Sequence, residues 1–316
     1  MNKELKILAV VVFFTLVTYW GVEPFAHSQM HKHVESMNMA YNGEADIAEC
    51  SKDKKEMKEA FWADVKKIAA LKGDAAAGEG TFAMCAGCHM EGAVNMGGVT
   101  PPSLEHAGAL YDKNYLIALI KDPAIAMNTD HKYADTMTHP MGSIKTMVTE
   151  PQDIANVVAY LMEKKAGELT PKEAYVDACG RCHTNQYGHM TQLGETPKFK
   201  HEKDALAYKI KVLEEQDLVK GYMGKLPPDL STIIRARGEH YLETFIENPQ
   251  SQLPGTSMPR TGLTKEGYEK VIAYLESTGD AHAEDRNNLG WKVILFFILF
   301  SVLAYLWKKD VWSKLH

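Results

Sequence analysis

Cys85-Ala86-Gly87-Cys88-His89 and Cys179-Gly180-Arg181-Cys182-His183 are two copies of C-x-x-C-H. At that spacing two thiols capture the vinyl groups of one haem while the adjacent histidine ligates its iron. Two copies predict two covalently bound c-type haems, attached through Cys85 and Cys88 and through Cys179 and Cys182, with His89 and His183 on the irons. The competing reading, a pair of thioredoxin-like redox sites, needs a βαβ setting that this chain does not offer.

With 316 residues the chain has room for two or three domains. Four of its five cysteines sit in the motifs, so none remains to pair with Cys50. Cys50 lies in the charged run from Glu44 to Lys58 and reads as a solvated helix residue, with thiolate ligation as the minor alternative. A net charge of −6 and no basic stripe exclude a nucleic-acid role.

The two ends speak for a membrane. Ile7 to Val22 is uncharged and follows Lys3 and Lys6; Val293 to Trp307 is uncharged between Lys292 and the group Lys308, Lys309 and Lys314. Both cores fall short of the ~20 residues a bilayer asks for, but flanking lysines can snorkel, and Trp20, Trp291, Trp307 and Trp312 suit the interface. Lysines at both outer ends predict cytoplasmic termini, with residues from about 25 to 288 on the periplasmic side of a bacterial inner membrane. A cleaved signal peptide is the rival for the first segment; no A-x-A site follows Trp20, which favours retention.

Between the ends the chain repeats itself. Glu44 to Lys72 reads helical, with Ala48, Phe61, Val65, Ile68 and Leu71 at mostly three- or four-residue steps. A second helix is expected behind Asp74 as cap, running through Gly78 and Phe82 into the first motif, with Gly78 allowing a close crossing. Ile154 to Leu161 gives a third, and Glu163 to Thr170 a linker. Pro101-Pro102-Ser103-Leu104 matches Pro227-Pro228-Asp229-Leu230 at an offset of 126, as Tyr115-Leu116 through Asp122-Pro123 matches Tyr241-Leu242 through Asn248-Pro249. The second half carries about 32 extra residues between motif and double proline, most of 184–226, a length expected of a functional surface or lid, or of a neutral extension.

A second axial ligand sets whether a haem transfers electrons or binds small molecules, and methionine raises the potential relative to histidine. Met258, before Pro259 and 16 residues ahead of Tyr274, is the expected ligand in the second half, with His189 as a weaker alternative. In the first half Met141 leads, and Met137, His131 and His139 compete. Met84, Met90, Met147 and Met162 read as packing residues. His27, His31 and His33 read as a wet interfacial segment, a metal site being the alternative.

Leu226-Pro227-Pro228-Asp229-Leu230-Ser231, then Ile234-Arg235-Ala236-Arg237-Gly238 and Tyr241, closely resemble cytochrome c1, the haem subunit of quinol:cytochrome c reductase (cytochrome bc1) complexes. Arg286-Asn287-Asn288-Leu289-Gly290 leading into a hydrophobic helix that ends Lys308-Lys309-Asp310-Val311-Trp312-Ser313 is similar to that family's C-terminal anchor. The likeness runs from about Ala174 to His316. It implies that Arg235 or Arg237 neutralises a haem propionate. It also implies partners in the same membrane, a cytochrome b and a Rieske iron-sulfur protein, within a dimeric complex that feeds a downstream cytochrome c or terminal oxidase. The family's usual form has one haem; the extra upstream domain resembles the dihaem c-type subunits of some bacterial quinol reductases.

The expected fold is mainly α: two tandem small helical cytochrome c domains with an N-terminal and a C-terminal transmembrane helix. The boundaries are 1–24 for the first anchor, 25–73 for a periplasmic linker and helix, 74–166 and 167–280 for the haem domains, the latter with insert 184–226, and 288–309 for the second anchor. In this reading the chain is a two-haem wire with no catalytic activity of its own, electrons entering at the second motif and leaving from the first. A dihaem subunit of a haem-copper oxidase or a free membrane-tethered carrier is the alternative. A dihaem peroxidase, which needs an open haem, stands further back.

Overall fold

A computed structural model of the full chain describes residues 3–30, 34–49, 52–89, 98–164 and 169–314. Cys50, Met90, His31 and His33 lie outside the described residues, as does the side chain of His27. Regular structure is almost all helical; among the described residues the strands are Met190–Thr191 and Gly194–Glu195, a short antiparallel pair. The expectation of a mainly α chain holds. Two helices, Lys3–Ala26 and Ala283–Ser313, are long and apolar enough to cross a membrane, and neither buries any of its apolar window in the protein.

The chain gathers into two compact units. One contains Met1–Gly97, Ser103–Glu168 and Glu239–Tyr268; the other contains Gly98–Pro102, Leu169–Gly238 and Glu269–His316. The stretch Glu239–Tyr268, which the repeat associates with the second motif, thus has its packing partners in the first unit.

In the first unit, the helix Ala75–Ala86 starts where Asp74 accepts the backbone N–H groups of Ala76 and Ala77, the cap read from sequence. It crosses Pro151–Glu163 so closely that a Cβ on Gly78 would collide with the backbone carbonyl of Asn156. Asn156 is buried, and its Oδ1 accepts both the N–H of Asp74 at 2.9 Å and Nε2 of Gln152 at 2.9 Å, tying the start of one helix to the middle of the other. Phe82 and Tyr160 meet one turn further on with ring centroids 5.0 Å apart.

A third helix, Lys52–Ala69, lays Phe61, Trp62, Val65 and Ile68 against Lys113–Lys121, whose Ile117 and Ala118 are wholly buried. The expected Glu44–Lys72 helix is thus shorter, preceded by a 3-10 segment, Gly43–Glu49. Ala48, expected on the apolar face, is exposed; the inward position there belongs to Asp46, which a buried arginine holds in place.

Helix Lys52–Ala69 also buries Lys58, 4% exposed, against Asp130 at 3.2 Å, with Lys54 at 3.0 Å from the same carboxylate. Burial alone would raise the pKa of Asp130; the charges and hydrogen bonds of Lys58 and Lys54 outweigh it and hold the carboxyl below its ordinary range.

In the second unit, a capping box between Thr170 and Glu173 opens Pro171–Tyr175, and Tyr175 is fully buried against Tyr274 with centroids 4.8 Å apart. The insert is not an irregular loop. It contains the strand pair and a 22-residue helix, Glu202–Met223, that stops at Gly224 in the left-handed region (φ 78°). Only Val212, Val219 and Met223 of that helix are buried.

Two outcomes follow. Gly78→Ala should lower stability by about 1–3 kcal/mol, because the obstacle is backbone that cannot rotate away, and thermal unfolding of the purified full chain measures it. Asp130→Asn should cost about 3–5 kcal/mol at neutral pH by leaving Lys58 buried and unpaired. Since the folded carboxyl is more acidic than an unfolded one (~3.9), the pair's contribution is complete above the ordinary carboxylate range and is lost as pH falls through the folded value. The gap between variant and parent in denaturant titrations should therefore shrink in acid.

Candidate functional site

Both motifs fold into the same turn. Cys85 ends the Ala75–Ala86 helix, and its carbonyl accepts the N–H groups of Cys88 at 3.1 Å and His89 at 2.9 Å. Cys179 lies in the π-helical turn Val176–Gly180, and its carbonyl accepts the N–H groups of Cys182 at 3.1 Å and His183 at 2.9 Å. One carbonyl gathering two donors folds each five-residue motif back on itself, so that both cysteines and the histidine come from a single turn. Burial raises the Cys85 thiol, with Cys88 adding to it, and pushes Cys179 up to about 12, so the first thiol of each motif is neutral at ordinary pH.

The second motif is arranged further. Nδ1 of His183 lies 2.8 Å from the carbonyl of Pro228. A carbonyl only accepts, so Nδ1 carries the proton and the Nε2 lone pair is left for a metal. Burial lowers the imidazole pKa, outweighing the hydrogen bond to Pro228 and the charge of Asp229, and keeps the ring in the neutral form that ligation requires.

The loop that presents Pro228 is fastened by Asp229, which accepts Thr184 Oγ1 at 2.7 Å and the N–H groups of Gln186 at 3.0 Å and Ser231 at 2.9 Å. Burial would raise Asp229, but these hydrogen bonds hold it below its ordinary value. Tyr175 closes the other side by donating its hydroxyl to the carbonyl of His183 at 3.0 Å. The donor set fits covalent haem: two cysteines at C-x-x-C spacing and an imidazole whose tautomer is already set.

The candidate sixth ligands differ in what else they do. His139 is buried, and burial drives its pKa down to about 4. Its Nδ1 accepts the N–H of Met141 at 3.0 Å, which places the proton of the neutral ring on Nε2 and leaves no lone pair for a metal. The Met141 side chain is half-buried; Met137 is 40% exposed and His131 is exposed. Met258 is also half-buried, in a loop closed by Gln250, whose side chain takes the carbonyl of Thr256 and the N–H of Gly255. His189 is exposed, with φ 57°. Arg235 lies in the short helix Ile233–Ala236 and Arg237 follows its end, and both are exposed.

Sequence reasoning marked the Pro-Pro pair as a landmark of the repeat without its use; the carbonyl of Pro228 is that use. Recurrence of the pair after both motifs was the available signal. Tyr175 carried no such mark, because it acts on a backbone carbonyl that sequence does not place, and Asp229 was read within the repeat without its fastening role.

The cytochrome c family matches residues 75–165, and the cytochrome C1 family matches residues 260–315. The first motif lies inside one match and the second lies between them. The ammonia monooxygenase gamma subunit of Nitrosomonas europaea is 32% identical over a 134-residue alignment that covers 30% of this chain and 57% of that protein. The chain thus spans little more than half the length of that relative. A chain of a solved hyperthermophilic respiratory Complex III is 26% identical with a TM-score of 0.36, covering 46% of this chain and 75% of the other.

Asp229→Ala should cost on the order of 2–3 kcal/mol, since three donors lose a charged acceptor, and Asp229→Asn should recover part of it; thermal unfolding of the full chain reads both.

Proposed function

We propose that this chain, a c-type cytochrome with covalently bound haem, carries two such haems and serves as the electron-transfer subunit of a membrane-bound quinol:cytochrome c reductase. The observation that carries the reading is the pair of C-x-x-C-H turns with matching backbone hydrogen bonds, the second with an imidazole already oriented by Pro228. Haem, once attached, supplies one-electron redox chemistry whose potential answers to its axial ligands and surroundings.

The chain's own residues do the rest. Cys85, Cys88, Cys179 and Cys182 anchor the groups, while His89 and His183 ligate from one side. Met141 and Met258 offer sulfur from the other; the engagement of His139 with the N–H of Met141 is the reason to prefer Met141 in the first half. Arg235 and Arg237 are the candidates for propionate neutralisation.

In this reading the chain takes an electron from a Rieske iron-sulfur protein beside a cytochrome b and passes it to a downstream cytochrome or oxidase. The two apolar helices tether it to a bacterial inner membrane with the haem units in the periplasm and both termini in the cytoplasm. The complex is dimeric, and electrons enter at the second motif. The cytochrome C1 match over 260–315 supports the reductase assignment. A second reading comes from the likeness to an ammonia monooxygenase subunit: the same electron-carrying unit attached to a different membrane oxidoreductase.

Haem quantification on the purified chain should give two equivalents per polypeptide. Replacing either cysteine pair by alanine, Cys85 with Cys88 or Cys179 with Cys182, should leave one; a parent value of one would refute the dihaem reading. Mild solubilisation of the native membrane should co-isolate a cytochrome b and an iron-sulfur protein and give quinol-driven haem reduction. Co-isolation with an oxygenase or oxidase, without quinol reduction, would favour the second reading.

A further inference from the structure

Residues 34–49 precede the first motif and have no counterpart in the repeat, yet they hold the segment that carries Met258 at several points. His240 Nε2 lies 3.0 Å from the carbonyl of Val34. The buried carboxylate of Glu247 accepts the N–H groups of Met37 at 3.0 Å and of Met39. Asn38 at φ 53° and Met39 at φ 58° are left-handed, so the chain turns sharply here, with the N–H of Asn38 donating to Ser36 Oγ while those of Met37 and Met39 reach the one carboxylate.

Further along, Arg260 and Asp46 form a two-pronged pair, Nη1 to Oδ2 at 3.0 Å and Nη2 to Oδ1 at 2.6 Å, with side chains 2% and 5% exposed. The guanidinium lies 5.6 Å from the ring centroid of Tyr41, whose hydroxyl donates to the carbonyl of Ala126. The N–H of Arg260 donates to the next carbonyl, that of Met127, at 2.9 Å.

Glu247 and Arg260 bracket Met258, and both are gripped by the same linker. Stability is a poor reason for this design, because a buried ion pair often does no better than well-packed apolar side chains in its place. What the fork-to-fork geometry supplies is direction: it fixes the position and roll of Arg260, and only Pro259, with its locked φ, separates Arg260 from Met258.

We infer that residues 34–49 act as a brace that sets the position of the Met258 sulfur, with Asp46, acting through Arg260, as the positioning residue and Glu247 as the second anchor. The inference rests on Met258 being a haem ligand. A thioether is a weak ligand whose presence raises the potential of the haem it serves, so its placement is read directly as a potential.

The experiment uses the full-length, haem-loaded protein in detergent, with haem-resolved redox titration and the weak long-wavelength absorption band that methionine sulfur gives on ferric haem. Met258→Ala is the reference and should lower one of two potentials and remove its share of the band. Asp46→Asn and Glu247→Gln should shift that same potential in the same direction and weaken the band, leaving the other haem as in the parent. The other haem is the control for general damage within one molecule. If Asp46→Asn does not accumulate, Glu247→Gln, which keeps the Arg260 pair, carries the test.

A silent Met258→Ala would overturn the ligand assignment itself. An effective Met258→Ala beside Asp46→Asn and Glu247→Gln variants with parental potentials and band would overturn the brace alone. Equal shifts of both haems in those two variants would also overturn it, in favour of a general structural role.

Discussion

A single backbone carbonyl, that of the first cysteine in each motif, collects the N–H groups of the second cysteine and the histidine, and the surrounding structure is arranged to support that turn. In the function proposed above, three side chains leave one short segment in positions that serve one flat cofactor, and a regular helix would spread them along and around its axis. The chain solves this twice by letting a helix end, or loosen into a π-turn, at the first cysteine. In the first unit the helix leading to the turn is fixed by its crossing at Gly78 and Asn156. In the second the preceding residues are fixed by Tyr175, buried and bonded to the carbonyl of His183.

The residues that were legible in sequence are those whose effect is local. Asp74 as a cap, Gly78 as a point of close approach, the two motifs and the apolar faces around Phe61, Val65, Ile68 and Ile154 all follow from spacing and side-chain type. What escaped is long-range or polar. Asp46 looks like one more charge in a charged run until its partner more than two hundred positions away is known. The helix Glu202–Met223 has so few buried residues that no apolar stripe announces it, and the segment reads as loop. The pairing of Glu239–Tyr268 with the first unit was hidden by the repeat itself, which assigns each stretch to the motif before it.

Buried polar groups in the first unit serve orientation more than adhesion. Asn156 links two helices with its carboxamide oxygen, and the Asp122 carboxylate caps Pro123–Ala126 directly where Lys113–Lys121 ends, accepting the N–H groups of Ala124 and Ile125. Each requires a partner at a defined angle, which apolar contact does not.

The last helix, Ala283–Ser313, has 31 residues without a break, about 46 Å at 1.5 Å per residue. In the membrane-tethered function proposed above, a hydrocarbon layer takes up ~30 Å of that. The remainder is a rigid post in the headgroup region and beyond, with Arg286 at its foot pairing with Asp280 just outside it. Such a post sets a standing height above the bilayer for the structure attached to it. A redox partner anchored in the same membrane therefore searches a thin layer instead of a volume, and the frequency of productive encounters becomes a property of tether geometry.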